Sequence, residues 1–296
     1  MNAIHDVRAA ERSVPAGLSA DDASRARGRL RPLRWLWTAV VVIAVAEFLR
    51  FLIANPRWEW GVVAEYLFSP YVLRGALMTI VLSVIAMVLG CVIGVLVSLA
   101  RFSDYWLTRT VAVAYIGFFR AVPLLVQLIF WYNLSYLLPR LTIGFPGLPE
   151  IAGVETNAVV TAFMAAILGL GLNEGAQMAE VFRSGLLAVG RGQADAAKSL
   201  GMPPFTTFMR ITLPQAVRVI IPPTATNYVS LLKATSLVSV IAMGDLLYSV
   251  QLIYNETFQI IPLLMVACCW YFVMVVSLQL LQTHLERKFG RGFDRA

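Results

Sequence analysis

Five residues stand where so apolar a chain leaves little room for them. Arg120, Glu174, Glu180, Lys233 and Ser236 all fall inside long hydrophobic runs. A charge at the middle of a bilayer costs about 2.5–3.5 kcal/mol on insertion scales. Arg120 sits about 10 residues into its run, roughly 15 Å deep at the rise of a helix. Such groups must face a cavity, a partner or one another. A polar pathway holding both the ammonium and the carboxylate of a zwitterion would use charges of both signs. Structural ion pairing is the alternative, and Glu180 with Arg183 one turn on is its obvious instance. Asn173-Glu174-Gly175 interrupts an apolar run, and Gly169 and Gly171 loosen the helix there, which favours a pathway role for Glu174. Lys233 beside Thr235 and Ser236 fits either a pathway or adhesion between helices. Covalent catalysis has no support. His5 and His284 lie in or next to polar tails, and Cys91, Cys268 and Cys269 lie in apolar runs without metal-ligand spacing. No cofactor and no metal site is expected.

The second feature is a polar island over residues 190–214, GRGQADAAKSLGMPPFTTFMRITLP, between two apolar stretches. Ala194, Ala196, Ala197 and Gly201 are small, so another protein's groove can approach the backbone closely. Asp195 is expected early in a short helix, where a carboxylate suits the dipole. Gly201 would end that helix, and Pro203-Pro204 would prevent its continuation. The island reads as a docking element rather than a substrate site.

Around these residues the chain must be mostly membrane. Of its 296 residues 59% are hydrophobic and 14% charged, against about a quarter charged in soluble domains. Six segments can span a bilayer: 35–54, 73–100, 110–138, 157–182, 219–247 and 259–283. The net charge of +7 does not mark a nucleic-acid binder, because the basic residues follow the positive-inside rule. Eighteen Lys and Arg lie in the N-terminal tail through Arg34, in the loops with Arg101 and Arg109 and with Arg183 to Arg218, and in the C-terminal tail; Arg57 and Arg140 are the two in the opposite loops. Both termini are therefore expected in the cytoplasm. Residues 1–33, arginine-rich and without an apolar core, read as a disordered cytoplasmic tail. The run 35–54 reads as a retained helix rather than a signal peptide. Gly90-x-x-x-Gly94 allows close helix packing. Pro123 and Pro262 could kink their helices or mark re-entry. Phe130, Trp131 and Tyr132 fit the outer interface. The longest outer loop, about 139–156, is too short for a domain, so any protein that delivers a solute from outside must be another chain.

The spacing Asp195-Ala196-Ala197-x3-Gly201-x9-Ile211-x-Leu213-Pro214 resembles the EAA loop of ABC-importer permeases. Ala179-Glu180-Val181-Phe182-Arg183 followed by Gly192-Gln193, Phe119-Arg120-Ala121-Val122-Pro123 through Leu128, and Leu231-Leu232-Lys233-Ala234-Thr235-Ser236-Leu237 resemble the subfamily that imports polar amino acids such as histidine, glutamate, glutamine, arginine and opines. These motifs run from about residue 71 to 282. Three departures stand out: Asp195 where Glu is usual, Ala121-Val122 in place of Gly-Thr, and Gly117 where Glu is common.

The resemblance implies an all-α membrane protein of six transmembrane helices, a five-helix type I importer core plus one N-terminal helix. The implied layout is a tail over 1–33, an extra helix and outer loop over 34–70, a transmembrane domain over 71–285 with its coupling loop at 190–214, and a tail over 286–296. Gln193, Asp195, Ala196, Ala197, Gly201, Leu213 and Pro214 would couple to the ATPase; Arg120, Glu174, Glu180, Lys233 and Ser236 would line the substrate pathway. The implied partners are a cytoplasmic ATPase dimer, a second permease subunit of the same or another kind, an external or periplasmic solute-binding protein and a polar amino acid. The place is the bacterial cytoplasmic membrane. Independently, the chain has no G-x-x-x-x-G-K-[ST] phosphate loop, so ATP must bind elsewhere and the chain is expected to be no enzyme. The rival readings are a permease for another small solute and a secondary transporter working alone.

Overall fold

The computed structural model describes residues 32–143 and 152–289, in two units, one ending at Trp58 and one beginning at Glu59. The tail expected over 1–33 lies outside the described residues as far as residue 31, as does the C-terminal tail from residue 290.

The described residues of the first unit form one helix, α1 (Pro32–Ala54), and a short 3-10 turn at Pro56–Trp58. Trp35–Ala54 has a mean hydropathy of 2.1, and 23 residues extend about 34 Å, enough to cross a hydrocarbon core. Phe51 packs edge-to-face on Trp58 at 5.9 Å.

The second unit holds the rest. It begins with α2 (Trp60–Leu67) and α3 (Pro70–Arg101). Ser69 caps α3 by accepting from Val72 N at 3.3 Å, and Pro70 takes the first helical position, where no N–H is needed. Next come α4 (Trp106–Ala121), α5 (Leu124–Tyr132), α6 (Leu134–Leu137), the strands β1 (Arg140–Ile143) and β2 (Ala152–Glu155), α7 (Thr156–Val159) and α8 (Ala162–Leu187). The polar island forms α9 (Arg191–Ser199), α10 (Pro204–Thr207) and a π turn at Phe208–Thr212. Then follow α11 (Leu213–Ala234), a 3-10 segment at Thr235–Ile241, α12 (Leu246–Thr257) and α13 (Ile260–Phe289).

Helix α8 is the hub, packed against α3, α4, α5 and α11. Small residues bring it there. A Cβ added to Gly94 would lie 2.7 Å from Met178 Cβ, and one added to Gly171 would lie 2.6 Å from Leu89 Cδ2. The Gly90-x-x-x-Gly94 pattern therefore does what such patterns do in membranes: it lets two backbones approach. Leu82, Ala86, Leu128, Leu170, Met178 and Val238 fill the core around this contact. A second cluster, with Val72, Leu232, Leu246, Val250, Leu263 and Val266, joins α3, α12 and α13. Trp270 Nε1 donates to Leu67 O at 2.8 Å and holds α2 against α13.

Among the described residues three helices are long and apolar enough to cross a membrane, α1, α3 and α13, or up to five spans if each of two bent pairs counts as one. The expected single span 110–138 is corrected. It is α4 and α5, bent by 101° at Val122-Pro123, and the 16 residues of α4 reach only about 24 Å. The span expected at 219–247 is likewise broken: α11 passes through a 3-10 segment into α12 with a 44° bend. Pro262 falls in the first turn of α13, where a missing N–H costs nothing. The fold is mostly helical, with one departure from an all-α expectation: β1 and β2 pair as an antiparallel hairpin, Arg140 opposite Glu155.

Candidate coupling loop and membrane pathway

Residues 190–214 form a compact unit in which α9 packs on α10 and the π turn. Alanine at 194, 196 and 197 supplies helix propensity in a segment too short to be stable alone. The helix stops at a two-bond C-terminal turn. Gly201 N donates to Lys198 O at 3.0 Å and Met202 N to Ala197 O at 3.1 Å. Gly201 has φ +73°, a conformation that costs other residues roughly 1–2 kcal/mol. Pro204 then opens α10. The expected stop at Gly201 and Pro203-Pro204 is thus what forms. Asp195 is corrected in one respect: it is the fifth residue of a nine-residue helix, past the first turn.

The seven residues expected to couple divide by exposure. Gln193, Asp195, Ala196, Gly201 and Pro214 are exposed, Leu213 is half-buried, and Ala197 is turned inward and buried. Leu213 and Pro214 open α11. A groove of about 410 Å³ runs beside α9, lined by Ala194, Asp195, Lys198, Met202, Phe208 and Thr212 among others. Two apolar residues not singled out from the sequence protrude here, Leu200 at 82% exposure and Phe205 at 71%. Their signal was present: large apolar residues in a polar island have no hydrophobic segment of their own to join.

The expected pathway residues do not form one constellation. Glu180 is bound by two arginines. Arg183 Nε and Nη2 both lie 2.9 Å from its Oε2, and Arg101, at the end of α3, meets its Oε1. Glu174, six residues earlier on α8, is 6% exposed. Its side chain lies over Gly90, where a Cβ would stand 2.7 Å from Glu174 Cγ. Asn227 of α11 is the polar side chain that faces its carboxyl. Among the described residues its Oε1 has no hydrogen-bond partner, and Glu174 is in none of the ion pairs, nor are Arg120 and Lys233. Arg120 and Lys233 are exposed on this single chain, each in the last turn of its helix. Ser236 Oγ donates to Lys233 O at 2.8 Å in the 3-10 segment.

The bend beside Arg120 has a definite backbone chemistry. In a continuous helix Phe119 O would accept from residue 123, but Pro123 has no N–H. Side chains take over, as they must in a membrane interior. Gln127 Nε2 donates to Phe119 O at 3.1 Å and to Val122 O at 2.8 Å. Asn173 Nδ2 donates to Phe119 O at 2.8 Å and ties the bend to the residue preceding Glu174. The second break is held by Asp245, which the sequence reading passed over. Fully buried, it caps α12 by accepting from Tyr248 N at 2.9 Å and Leu247 N at 3.3 Å. Tyr271 Oη, 3.3 Å away, donates to it from α13. An Asp just before an apolar run is an N-cap signal, obscured here because apolar residues flank Asp245 on both sides.

Known proteins resemble this chain in sequence and fold. A family model described as "Binding-protein-dependent transport system inner membrane component" matches residues 86–291. The arginine transport system permease protein ArgU of Corynebacterium glutamicum is 39% identical over 267 residues, covering 89% of this chain and 82% of that one. A crystal structure of an amino acid ABC transporter with histidines superposes with a TM-score of 0.65 at 29% identity, over 76% of this chain and 97% of its own. An inward-facing MetNI methionine ABC transporter superposes at 0.58 with 15% identity, over 74% and 96%, and shows the same fold. The chain belongs to the binding-protein-dependent transport system inner membrane components, as a permease subunit whose ATPase is a separate chain.

Proposed function

We propose that this chain is the membrane permease of an ATP-driven importer of polar amino acids, working by alternating access in the bacterial cytoplasmic membrane. Its arginine-rich end faces the cytoplasm, with both termini on that side. The observation that carries the reading is the short α9 helix, closed by the Gly201 turn and bordered by a groove and the protruding Leu200 and Phe205. It is a rigid knob on an otherwise apolar protein, suited to a cleft of a cytoplasmic ATPase. A dimer of that ATPase closes on ATP and moves the two permease subunits outward-open; hydrolysis returns them. Solute arrives on an external binding protein. Glu174, buried without a cation among the described residues, supports a pathway for a cationic amino acid, and the name of the Corynebacterium glutamicum relative points to arginine.

The test is reconstitution of permease, ATPase and binding protein in vesicles. Amino-acid-stimulated ATP hydrolysis and uptake are expected, and uptake by the permease alone would overturn the reading. Replacing Asp195 with Trp, or Gly201 with Leu, should release or uncouple the ATPase while the permease still inserts. ATPase binding and coupling that survive both substitutions would remove α9 from the docking role.

A further inference from the structure

Midway along α11, Thr226-Asn227-Tyr228 sets three polar side chains in a row. Successive residues of a helix point about 100° apart at 3.6 residues per turn, so each of the three meets a different neighbour. Thr226 Oγ1 accepts from Gln282 Nε2 of α13 at 3.1 Å. Tyr228 Oη and Ser83 Oγ of α3 share a hydrogen bond at 3.3 Å. Asn227, between them, faces α8. Its Nδ2 donates to Met178 Sδ at 3.8 Å, and its amide is hydrogen-bonded to the Glu174 carboxyl. The two flanking contacts fix the rotation of α11 about its own axis, and with it the direction of the Asn227 amide.

The residues that Asn227 touches are held as firmly. Glu174 and Met178 lie one turn apart on α8 and share a face, each seated over a glycine of α3, Gly90 and Gly94. An asparagine amide has two N–H donors, and here one goes to each. Among the described residues Glu174 Oε1 still has no hydrogen-bond partner, in a side chain only 6% exposed. The residue type at 227 decides what this acid can do. A cation there would close it, as Arg101 and Arg183 close Glu180. A hydrocarbon would leave the whole carboxylate buried without a donor, which is costly. A neutral amide does neither. It orients the carboxylate through a hydrogen bond and leaves the charge and Oε1 to a donor from outside. The donor that complements a carboxylate so placed is a guanidinium or an ammonium.

We infer that Asn227 is the positioning residue that makes Glu174 selective for a cationic side chain, by holding the carboxylate without neutralising it. This rests on the pathway role proposed for Glu174. Asn227 acts through the acid, and the acid meets the ligand.

The experiment uses the detergent-solubilised complex of permease and ATPase without binding protein, so that no other chain's preference enters. Bound radiolabelled arginine is displaced by arginine or by citrulline, which has arginine's shape without its charge. The unsubstituted complex is expected to prefer arginine by about tenfold or more, the difference a charge-assisted contact makes. Asn227→Lys, which sets an ammonium against Glu174, should abolish that preference. Asn227→Leu should weaken arginine binding in the unsubstituted background and change nothing further beside Glu174→Gln. Asn227→Gln, which keeps the amide, should retain the preference for arginine. Assembly of each variant with the ATPase is checked by size exclusion; the Lys and Leu variants are independent tests, so either serves if the other does not assemble. An arginine preference that survives Asn227→Lys, or an equal loss from Asn227→Leu in both backgrounds, overturns the role of Asn227 alone. A preference unchanged by Glu174→Gln overturns the pathway role of Glu174, and this inference with it. Absence of arginine binding to the unsubstituted complex overturns the reading of a cationic substrate from which both follow.

Discussion

Glu174 and Glu180 are the same residue type six positions apart on one helix, and the chain treats them oppositely. Glu180, near the arginine-rich end, is half-buried and held by Arg101 and Arg183. Glu174, in the middle of α8, is buried over Gly90 with Asn227 facing it and no cation paired to it among the described residues. Position along the helix alone does not explain this. At Glu180 the chain supplies donors from two helices, α3 and α8, and the acid becomes a clasp between them. At Glu174 it supplies a glycine, which makes room for the side chain, and one neutral amide, Asn227, in place of a cation. Burying an acid with no cation beside it is expensive whenever it is charged, so a purely structural role gives little reason to keep it. Ion pairing is thus a good account of Glu180 and a poor one of Glu174.

The largest expected effect tests that contrast directly. If the chain imports a cationic amino acid as proposed, Glu174→Gln should weaken uptake of arginine, the candidate tested, by about tenfold to a hundredfold, the worth of a charged hydrogen-bonded contact of about 1.5–3 kcal/mol. Assembly should be unharmed, because a buried amide is cheaper than a buried carboxylate. Glu180→Gln should leave the apparent affinity for arginine unchanged and lower thermal stability. Equal transport losses in the two variants, measured as uptake against external arginine, would erase the distinction. Next in size is Gly90→Ala. The new Cβ would fall 2.7 Å from Glu174 Cγ and 2.8 Å from its Cβ, so α3 and α8 must separate or the acid must move. Overpacking of this kind costs about 1–3 kcal/mol, read as earlier thermal unfolding in detergent. Gln127→Leu should cost a similar amount, since Val122 O loses its side-chain donor inside the membrane and Phe119 O keeps only Asn173. It should leave the Glu180 clasp intact, because that clasp lies on the α3–α8 contact and not on the α4–α5 bend.

How much of this was legible in the sequence depended on whether a residue contrasted with its surroundings. The island 190–214 was, because polar residues between apolar runs are conspicuous and Gly201 with Pro203-Pro204 is local turn chemistry. The burial of Glu174 was, because it interrupts an apolar run. The pairing of Glu180 was half legible: Arg183 lies one turn away, but Arg101 comes from 79 residues earlier and no local pattern brings it there. The bend at Val122-Pro123 was seen as a proline and not as a 101° turn, since hydropathy carries no direction and Val122 and Leu124 are as apolar as a straight span requires. Asp245 vanished for the same reason, a single acid in an apolar stretch whose role appears only once the helix is known to start there. The hairpin was hidden in a loop rich in Pro and Gly, because strands of four residues have too few positions to show alternation.

The smallest effect is the most discriminating for the clasp. Arg101→Ala removes the α3 partner of Glu180 and leaves Arg183 in place. For a partly exposed pair the loss should be about 1 kcal/mol or less. A double-mutant cycle of Arg101→Ala with Glu180→Gln isolates the interaction, because the two residues are in direct contact and so cannot behave additively. If Glu180 is a structural clasp between α3 and α8, the coupling should appear in thermal unfolding of the detergent-solubilised complex and be absent from the concentration dependence of arginine uptake. The same cycle built on Arg101→Ala and Glu174→Gln should show no coupling in either measurement, since those residues share no contact. Coupling of Arg101 to Glu180 in uptake would mean that the arginine-rich end belongs to the pathway after all, and that the two acids of α8 differ in degree rather than in kind.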